Sequence, residues 1–484
     1  MAVHYYNWER KTTFDQGYVV PVACKEVFPG EDIRHKMDAL IRTQPLNAPV
    51  YHKLQVKVVH AYIPVRLVWP EFEDFIVDPD TSIVHPFIDM TGGGTIGDLA
   101  DHLSLTPDYE GNVSALPFRA YDLFYNEFVR DQEVQSEVTI DTTSGEDTTS
   151  NTSLKRACWQ KDYFTAGRTD TQQGDDVEIA LTGDAPVHAK GPAGQNVTVK
   201  SDVQSGADKY FAAGGTYANL SANGPGDSDD ELYAKMDNVS AVSMNDLRLA
   251  TALQRYKENL LNYGTRYVDR LTHAFGVKNL DARLQRPEIL QSATVNVQFS
   301  EIIQSAPSID DTSDESVGSL KGHGIALSSK NAYRHRKVPE YGFIMSFMII
   351  RPKTQYQDGV HKMWTRSTPQ DYFQPELQHI GMQAILNKEV RGAHATPDGI
   401  FAYTNRYDDL RYYFDETSGE FRDTLDFWHM GRKFSSDPAY NSSFVECEGV
   451  DRPFATSADE FLVRCFHSMK KKNALSAIGK PSII

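Results

Sequence analysis

The chain has 484 residues, more than one simple hydrophobic core accommodates, since single cores stop growing near ~250–300 residues; it therefore holds two or three domains, or one domain with large insertions. Its 40% hydrophobic and 24% charged residues are those of a folded protein in water. The net charge of −17 excludes condensation of nucleic acid by bulk charge, because neutralising phosphates takes Lys and Arg. Any contact with DNA must be local or helped by a separate basic partner.

Met1 to Arg10 lacks the apolar run of a secretory leader. Tyr5, Tyr6 and Trp8 precede Arg10-Lys11 there, a group that suits base stacking and phosphate contact, or equally the anchoring of an arm on a neighbouring molecule. Ile33 to Ile41 fits two periods. Ile33, Met37, Leu40 and Ile41 suit a helix, while Ile33, His35, Met37, Ala39 and Ile41 suit one face of a strand. Pro29-Gly30 and Pro45 bound a segment short enough to favour the strand. Leu54, Val56 and Val58 alternate with Gln55 and Lys57 as in a half-buried strand. Leu116 to Asp131 reads as a helix, with Pro117 in its first turn and Ala120, Leu123, Phe124 and Phe128 on one face.

Residues 140–235 are rich in Gly, Ser, Thr, Asp and Asn and carry the turn signals Gly191-Pro192, Gly214-Gly215 and Gly224-Pro225-Gly226. They are expected to form a polar surface insertion, with Asn196 to Lys200 as an exposed hairpin strand; it serves either as a mobile surface element or as a projecting host-contact element. A helix begins near Ser243-Met244-Asn245-Asp246, where Ser243 and Asp246 form a weak capping box, and Leu249, Leu253, Tyr256 and Leu260 continue its stripe. Gly264 interrupts it, and a shorter helix follows to Phe275. Tyr341 to Ile350 is apolar on both alternating faces, which predicts a central strand covered on both sides. This run is also far shorter than the ~20 residues that span a bilayer. Phe461, Val463 and Cys465 alternate with Leu462, Arg464 and Phe466 in a last strand, after which Lys470-Lys471-Lys472 and Lys480 concentrate positive charge. Strand material at both ends, with helices and an insertion between, predicts a β-sandwich with long excursions between strands.

Catalytic and metal motifs are lacking. Gly92-Gly93-Gly94-Thr95 has no lysine to reach phosphates and reads as a loop. The histidines show no zinc-ligand spacing. The acidic runs Asp227 to Glu231 and Asp310 to Glu315 lack the alternating oxygens and central glycine of a calcium loop. No Gly-x-Ser-x-Gly elbow supplies a nucleophile. Cys24, Cys158, Cys447 and Cys465 include no Cys-x-x-Cys pair and read as free structural thiols of a protein made in a cytosol. The residues best placed for DNA are Arg10, Lys11, Lys470, Lys471, Lys472 and Lys480, set against the plainer reading of charges that keep an edge strand soluble.

One block matches no catalytic need: Asn262-Tyr263-Gly264-Thr265-Arg266-Tyr267, Phe275-Gly276-Val277 and Asp281 to Glu288. Thr12 to Pro21, Glu26 to Glu31, Ile63 to Trp69, Phe72 to Phe75, Leu116 to Tyr121, Tyr125 to Asp131 and Lys161 to Thr165 precede it. Met363 to Arg366, Leu386 to Glu389, Asn405 to Tyr407 and Val450 to Pro453 follow. In this order the series resembles the major capsid proteins of the Microviridae, small phages with circular single-stranded DNA, and most closely their gokushovirus-like branch. The resemblance covers most of the chain except about residues 180–240.

It implies a mainly β fold, an eight-stranded antiparallel jelly roll with long helical and loop insertions, as a single capsid domain over residues 1–484. It implies a structural protein, not an enzyme, that assembles with itself into a T=1 icosahedral shell around the DNA, with the 140–235 insertion at the threefold axis. The partners implied are the packaged DNA, a small basic DNA-packing protein, other virion proteins and a bacterial surface receptor. The place implied is the virion, assembled in the host bacterial cytoplasm without membrane insertion. No cofactor is implied, and bridging cations stay unassigned. The competing reading is a secreted β-sandwich that binds or cleaves carbohydrate, which calls for a leader and for carboxylates or aromatics converging in one groove.

Overall fold

The computed structural model describes residues 2–78, 82–174, 187–190, 212–213, 216–217, 231–234, 244–263, 285–303, 320–335 and 337–476. The expected hairpin strand at 196–200, the short helix ending at Phe275, the 310–315 acidic run and Lys480 lie outside them, as does most of the 262–288 block. The chain divides into two compact units, one of residues 1–171 and 271–484, the other of residues 172–270.

The first unit contains β1 (Ala2–Phe14), β2 (Val20–Val27), β3 (Asp32–Thr43), β4 (Leu54–Pro64) and α1 (Leu116–Phe128). Then come β5 (Glu288–Asn296), β6 (Gln298–Ile303), β7 (Leu320–His335), β8 (Gly342–Pro352), β9 (Met382–Leu386), β10 (Ile400–Asn405) and β11 (Phe461–Asn473). Antiparallel pairing gives a five-stranded sheet in the order β1-β11-β3-β7-β6 and a four-stranded sheet in the order β5-β4-β8-β2. The protein is thus mainly β, as the sequence predicts. The sheets hold five and four strands among the described residues, against the eight that the resemblance implies.

The ambiguous Ile33 to Ile41 segment is a strand, with Ile33, His35, Met37, Ala39 and Ile41 buried on its inner face. Burial decides this. A helix would spread those side chains around its circumference, whereas period two presents them all to the opposing sheet. Met37, Ala39, Ile41, Val463 and Cys465 meet Val20, Val22, Val56, Val58, Met348 and Ile350 in one inter-sheet core. Each fully buried aliphatic side chain there contributes ~1.5–3 kcal/mol of transfer free energy.

β8 is the interior strand expected from its sequence, buried along almost its whole length. Its second face is covered by α1, whose Phe124 stacks on Phe347 with ring centroids 3.8 Å apart. α1 ends at Phe128 rather than Asp131, because the Val129 and Arg130 amides both return to the Tyr125 carbonyl and close the last turn. Arg119, wholly buried in α1, pairs with Asp147 at 2.7 Å and donates to the Thr143 carbonyl at 3.1 Å. The polar texture that begins near residue 140 therefore does not mark where the sandwich unit ends. Asp147, Trp159, Tyr163 and Phe164 are all buried in that unit.

Between β8 and β11 the chain makes a long excursion of short helical turns around the β9–β10 ribbon. Its Ile385, Val390, Phe401 and Phe444 form a separate apolar cluster with Tyr163 and Phe164 of the segment after α1. The four cysteines are free thiols; burial raises Cys158 to about 11 and Cys24, Cys447 and Cys465 to about 12.

In the second unit, Val187–Lys190 pairs with Glu231–Ala234, and α2 spans Met244–Tyr263. Leu249, Leu253 and Tyr256 of its predicted stripe are exposed. Among the described residues, no helix is long and apolar enough to cross a membrane.

Candidate nucleic-acid interface and assembly surfaces

Alternation places successive side chains of a strand on opposite faces. Lys470-Lys471-Lys472 does not follow the last strand as expected but lies inside it, near the end of β11. The three neighbours are consequently split. Lys471 turns inward, where it is buried, donates to the Glu26 carbonyl at 2.7 Å and sits 3.3 Å from the wholly buried Glu31. Lys470 and Lys472 turn outward into solvent. Lys470 lies over the Tyr5 ring, 5.1 Å from its centroid.

The N-terminal pair is split in the same way. Arg10 is half-buried and bridges from the β1 edge to the next loop, donating to the His102 carbonyl at 2.7 Å and to Ser104 Oγ at 3.0 Å. Lys11 is exposed, 3.7 Å from Glu9. Trp8, read from the sequence as a base-stacking or anchoring residue, lies parallel to the buried His467 at 4.7 Å. Tyr5 is 71% exposed and keeps a free ring face.

Tertiary structure adds residues that the sequence reading left out. Register sets Tyr5 opposite Lys470, Lys470 opposite Arg34, and Arg34 opposite Arg334. Three cations thus stand side by side across β11, β3 and β7, although like charges directly opposite destabilise a sheet. Arg334 is held by Asp32, while Arg34 has no partner among the described residues. Lys36, Arg42, Arg464 and Lys472 share this outer face; against them stand only Asp32, Asp38 and Glu9 on the same strands. Phe466, exposed on β11, adds a second open ring. The signal was present in the sequence: between the buried residues of Ile33 to Ile41 come Arg34, Lys36 and Asp38, so the polar half of that alternation was already basic.

Beside the Lys471–Glu31 pair, the inner side of the sheet carries histidines. His35 Nε2 and His467 Nδ1 lie 3.1 Å apart, and on the facing sheet His60 Nδ1 lies 2.7 Å from Ser346 Oγ. Burial pushes His35 down to about 4 and His60 and His467 down to about 3, so all three are uncharged at neutral pH.

A groove of about 1070 Å³ runs beside the β1 edge. Its four acids are engaged locally: Asp15 accepts from the Glu460 amide, Asp98 from the Leu99 amide, Asp101 from the Gly97 amide, and Asp459 from the Thr13 hydroxyl. No cluster of three or more His, Cys, Asp or Glu able to hold a metal occurs among the described residues.

The long excursion after β8 exposes large apolar side chains. Trp364 is 75% and Tyr413 96% exposed, with Met363, Tyr372, Phe373 and Ile380 open to solvent on the same excursion. Such concentrations on an otherwise well-packed protein mark contact surfaces.

Comparison with known proteins agrees with this surface-dominated picture. A family model described as "Capsid protein (F protein)" matches residues 3–483. The chain is 32% identical to "Capsid protein VP1" of Bdellovibrio phage phiMH2K, covering 90% of this chain and 86% of that protein. It is 27% identical to "Capsid protein VP1" of Chlamydia phage 1, covering 92% and 89%. It is 29% identical to the protein of the same name from Spiroplasma virus 4, covering 92% and 88%.

Proposed function

This chain belongs to the phage capsid protein (F protein) family, within the Microviridae, and from that membership we propose that copies of it tile a closed T=1 icosahedral shell around circular single-stranded DNA. Its role is structural: it is a capsid component of a virion, and membership of a capsid family implies assembly with itself. A closed shell reuses the same patches about each symmetry axis, so modest contacts suffice once the ring closes.

The observation that carries the seams is the exposed aromatic set on the excursion after β8, Trp364 and Tyr413 above all. These side chains cost free energy in water and would regain it against a neighbouring copy. The open stripe Leu249, Leu253 and Tyr256 on α2 fits a contact of the same kind in the second unit. Electron microscopy of the expressed protein tests the assembly: particles of one diameter are expected, and only small aggregates of undefined shape would count against a shell. Trp364→Ala with Tyr413→Ala should block particles while leaving the subunit folded.

The packaged strand is assigned to the outer face of the five-stranded sheet, where Lys470, Arg34 and Arg334 form a row and Tyr5 and Phe466 offer rings. Cations track a phosphate backbone, and exposed rings stack bases without demanding a sequence. Of the residues singled out from the sequence, Lys11, Lys470 and Lys472 serve this face; Arg10 and Lys471 hold the sheet together. The face is local and the chain as a whole is acidic, so a small basic protein or cations complete the neutralisation. Host attachment is assigned to the 172–270 unit. Deleting residues 180–235 should leave shells forming but reduce adsorption to cells, and a folded subunit that no longer assembles would refute this division.

A further inference from the structure

Where α1 ends, its cover over the four-stranded sheet runs out, and that sheet face changes character. Val59, Phe347 and Ile349 belong to the apolar layer beneath the helix. One alternation further along each strand come Lys57 on β4 and Arg351 on β8; register sets Lys57 opposite Ile349 and Gln55 opposite Arg351. A cavity of about 380 Å³ opens there, bounded by the sheet, the end of α1 and the segment 157–161.

Its charge is unbalanced. Lys57, Arg130, Lys161 and Arg351 line it with a single carboxylate, Asp131, and Lys161 already holds that one. The Arg351 guanidinium donates to the Cys158 carbonyl, a neutral partner. Lys57 has no hydrogen-bond or ion-pair partner among the described residues. Its ammonium pays twice for this position: burial and the nearby Arg351 both lower its pKa, burial the more strongly. Among the described residues the Arg130 Nε–H has no acceptor. Trp159, 3% exposed, lines the same cavity, and its indole Nε1–H is likewise without an acceptor among them.

Two deficits therefore share one space: positive charge lacks an anion, and buried N–H donors lack an acceptor. A dianionic group with several oxygens answers both, since charge-assisted hydrogen bonds are the strong ones. We propose that this cavity binds a phosphate ester, with Lys57 and Arg351 neutralising the phosphate and Trp159 Nε1 donating to one of its oxygens. The half-buried Phe128 ring lines the remaining volume and offers a surface to the sugar or base. The ester comes either from a DNA strand or from a free nucleotide. The site is separate from the outer face of the five-stranded sheet, and it does not depend on the T=1 reading.

The test uses the full-length subunit with inorganic phosphate, thymidine monophosphate and a short oligothymidylate at matched ionic strength, read by calorimetric titration and thermal unfolding. Wild type should bind and gain melting temperature with at least one phosphate ester. Lys57→Met should lower that affinity about tenfold, the scale of one lost charge-assisted bond; Lys57→Gln is the second variant should the first fold poorly. Trp159→Phe, which keeps the ring and deletes the N–H, should weaken binding a few-fold. Arg34→Gln should leave monophosphate binding unchanged. Oligonucleotide affinity that falls with Lys57→Met assigns the polymer as source, and monophosphate binding without it assigns the free nucleotide. No binding by folded wild type, or unchanged affinity in folded Lys57 variants, overturns the proposal. So does a wild type that binds none of the probes but whose assembled particles weaken on Lys57→Met, since a carboxylate from a second copy would then fill the cavity.

Discussion

The two faces of the five-stranded sheet are made from the same strands, and they obey opposite rules. Inside, Lys471 meets Glu31, Arg10 is held by a carbonyl and a hydroxyl, and the histidines are neutral. Outside, Lys470, Arg34 and Arg334 are placed side by side, with Asp32 the one carboxylate that engages the row. A sheet selected for stability alone would break up that row, because opposed like charges cost up to ~1 kcal/mol per pair relative to neutral ones. In a chain of net charge −17 this row is the local cationic surface on which the proposed contact with DNA rests.

The largest expected effect breaks the comparison at one residue. Lys471→Ala leaves the Glu31 carboxylate buried without its cation and should cost about 3 kcal/mol by denaturant unfolding. Lys470→Ala and Lys472→Ala should each shift stability by less than about 0.5 kcal/mol. Three lysines that behave alike would remove the division into two faces.

Acidity probes the inner face. The folded pKa values of His35, His60 and His467 lie below the ordinary value of 6.5, so the unfolded chain takes up protons first. Their contribution is fully present above about pH 6.5 and is lost as the pH falls through about 4 for His35 and about 3 for His60 and His467. Buried carboxyls act in the other direction. Burial raises Glu460 to about 8 and Asp122 to about 7, so the folded chain keeps those protons, and stability is lost as the pH rises from the ordinary carboxylate range to those values. A melting-temperature profile should therefore fall at both ends. Glu460→Gln should flatten the alkaline side and His35→Gln with His467→Gln the acidic side; a profile unchanged by either would contradict the burial argument.

The smallest stability change belongs to the outer face. Arg34→Gln with Lys470→Gln should leave the melting point level or slightly higher while lowering oligonucleotide affinity and reducing the salt slope by about 1–2. Phe466→Ala should weaken single-strand binding by ~1–3 kcal/mol with less salt dependence, as expected for stacking. Equal loss of folding and of binding in these variants would mean that the row supports the sheet.

Much of this was legible before folding. The alternation of Ile33 to Ile41 and of Phe461 to Phe466 predicted strands and their inner faces, and the apolar run at Phe343 predicted the doubly covered β8. Less legible was the lysine run, which the sequence places after the last strand and the structure places inside β11. In a strand, consecutive residues never share a face, so the middle one had to find a buried partner, and Glu31 is far away in sequence. The place of Arg10 was hidden for a similar reason, as its acceptors at His102 and Ser104 lie at the end of a short helical turn and just after it, far from β1 in sequence. The start of the surface insertion was read from composition near residue 140, but Arg119 draws Asp147 into the core from well along the chain.

Local pattern by itself determined that this chain builds amphipathic strands, a helix from Leu116 and an apolar centre at β8, because period and burial are properties of neighbouring residues. An ordered series of landmarks determined its family. Only the tertiary structure decided which cations became struts and which stayed free, because that choice depends on cross-strand register and on carboxylates hundreds of residues away. It alone placed Lys470, Arg34 and Arg334 in one row and Lys57 and Arg351 on one sheet face.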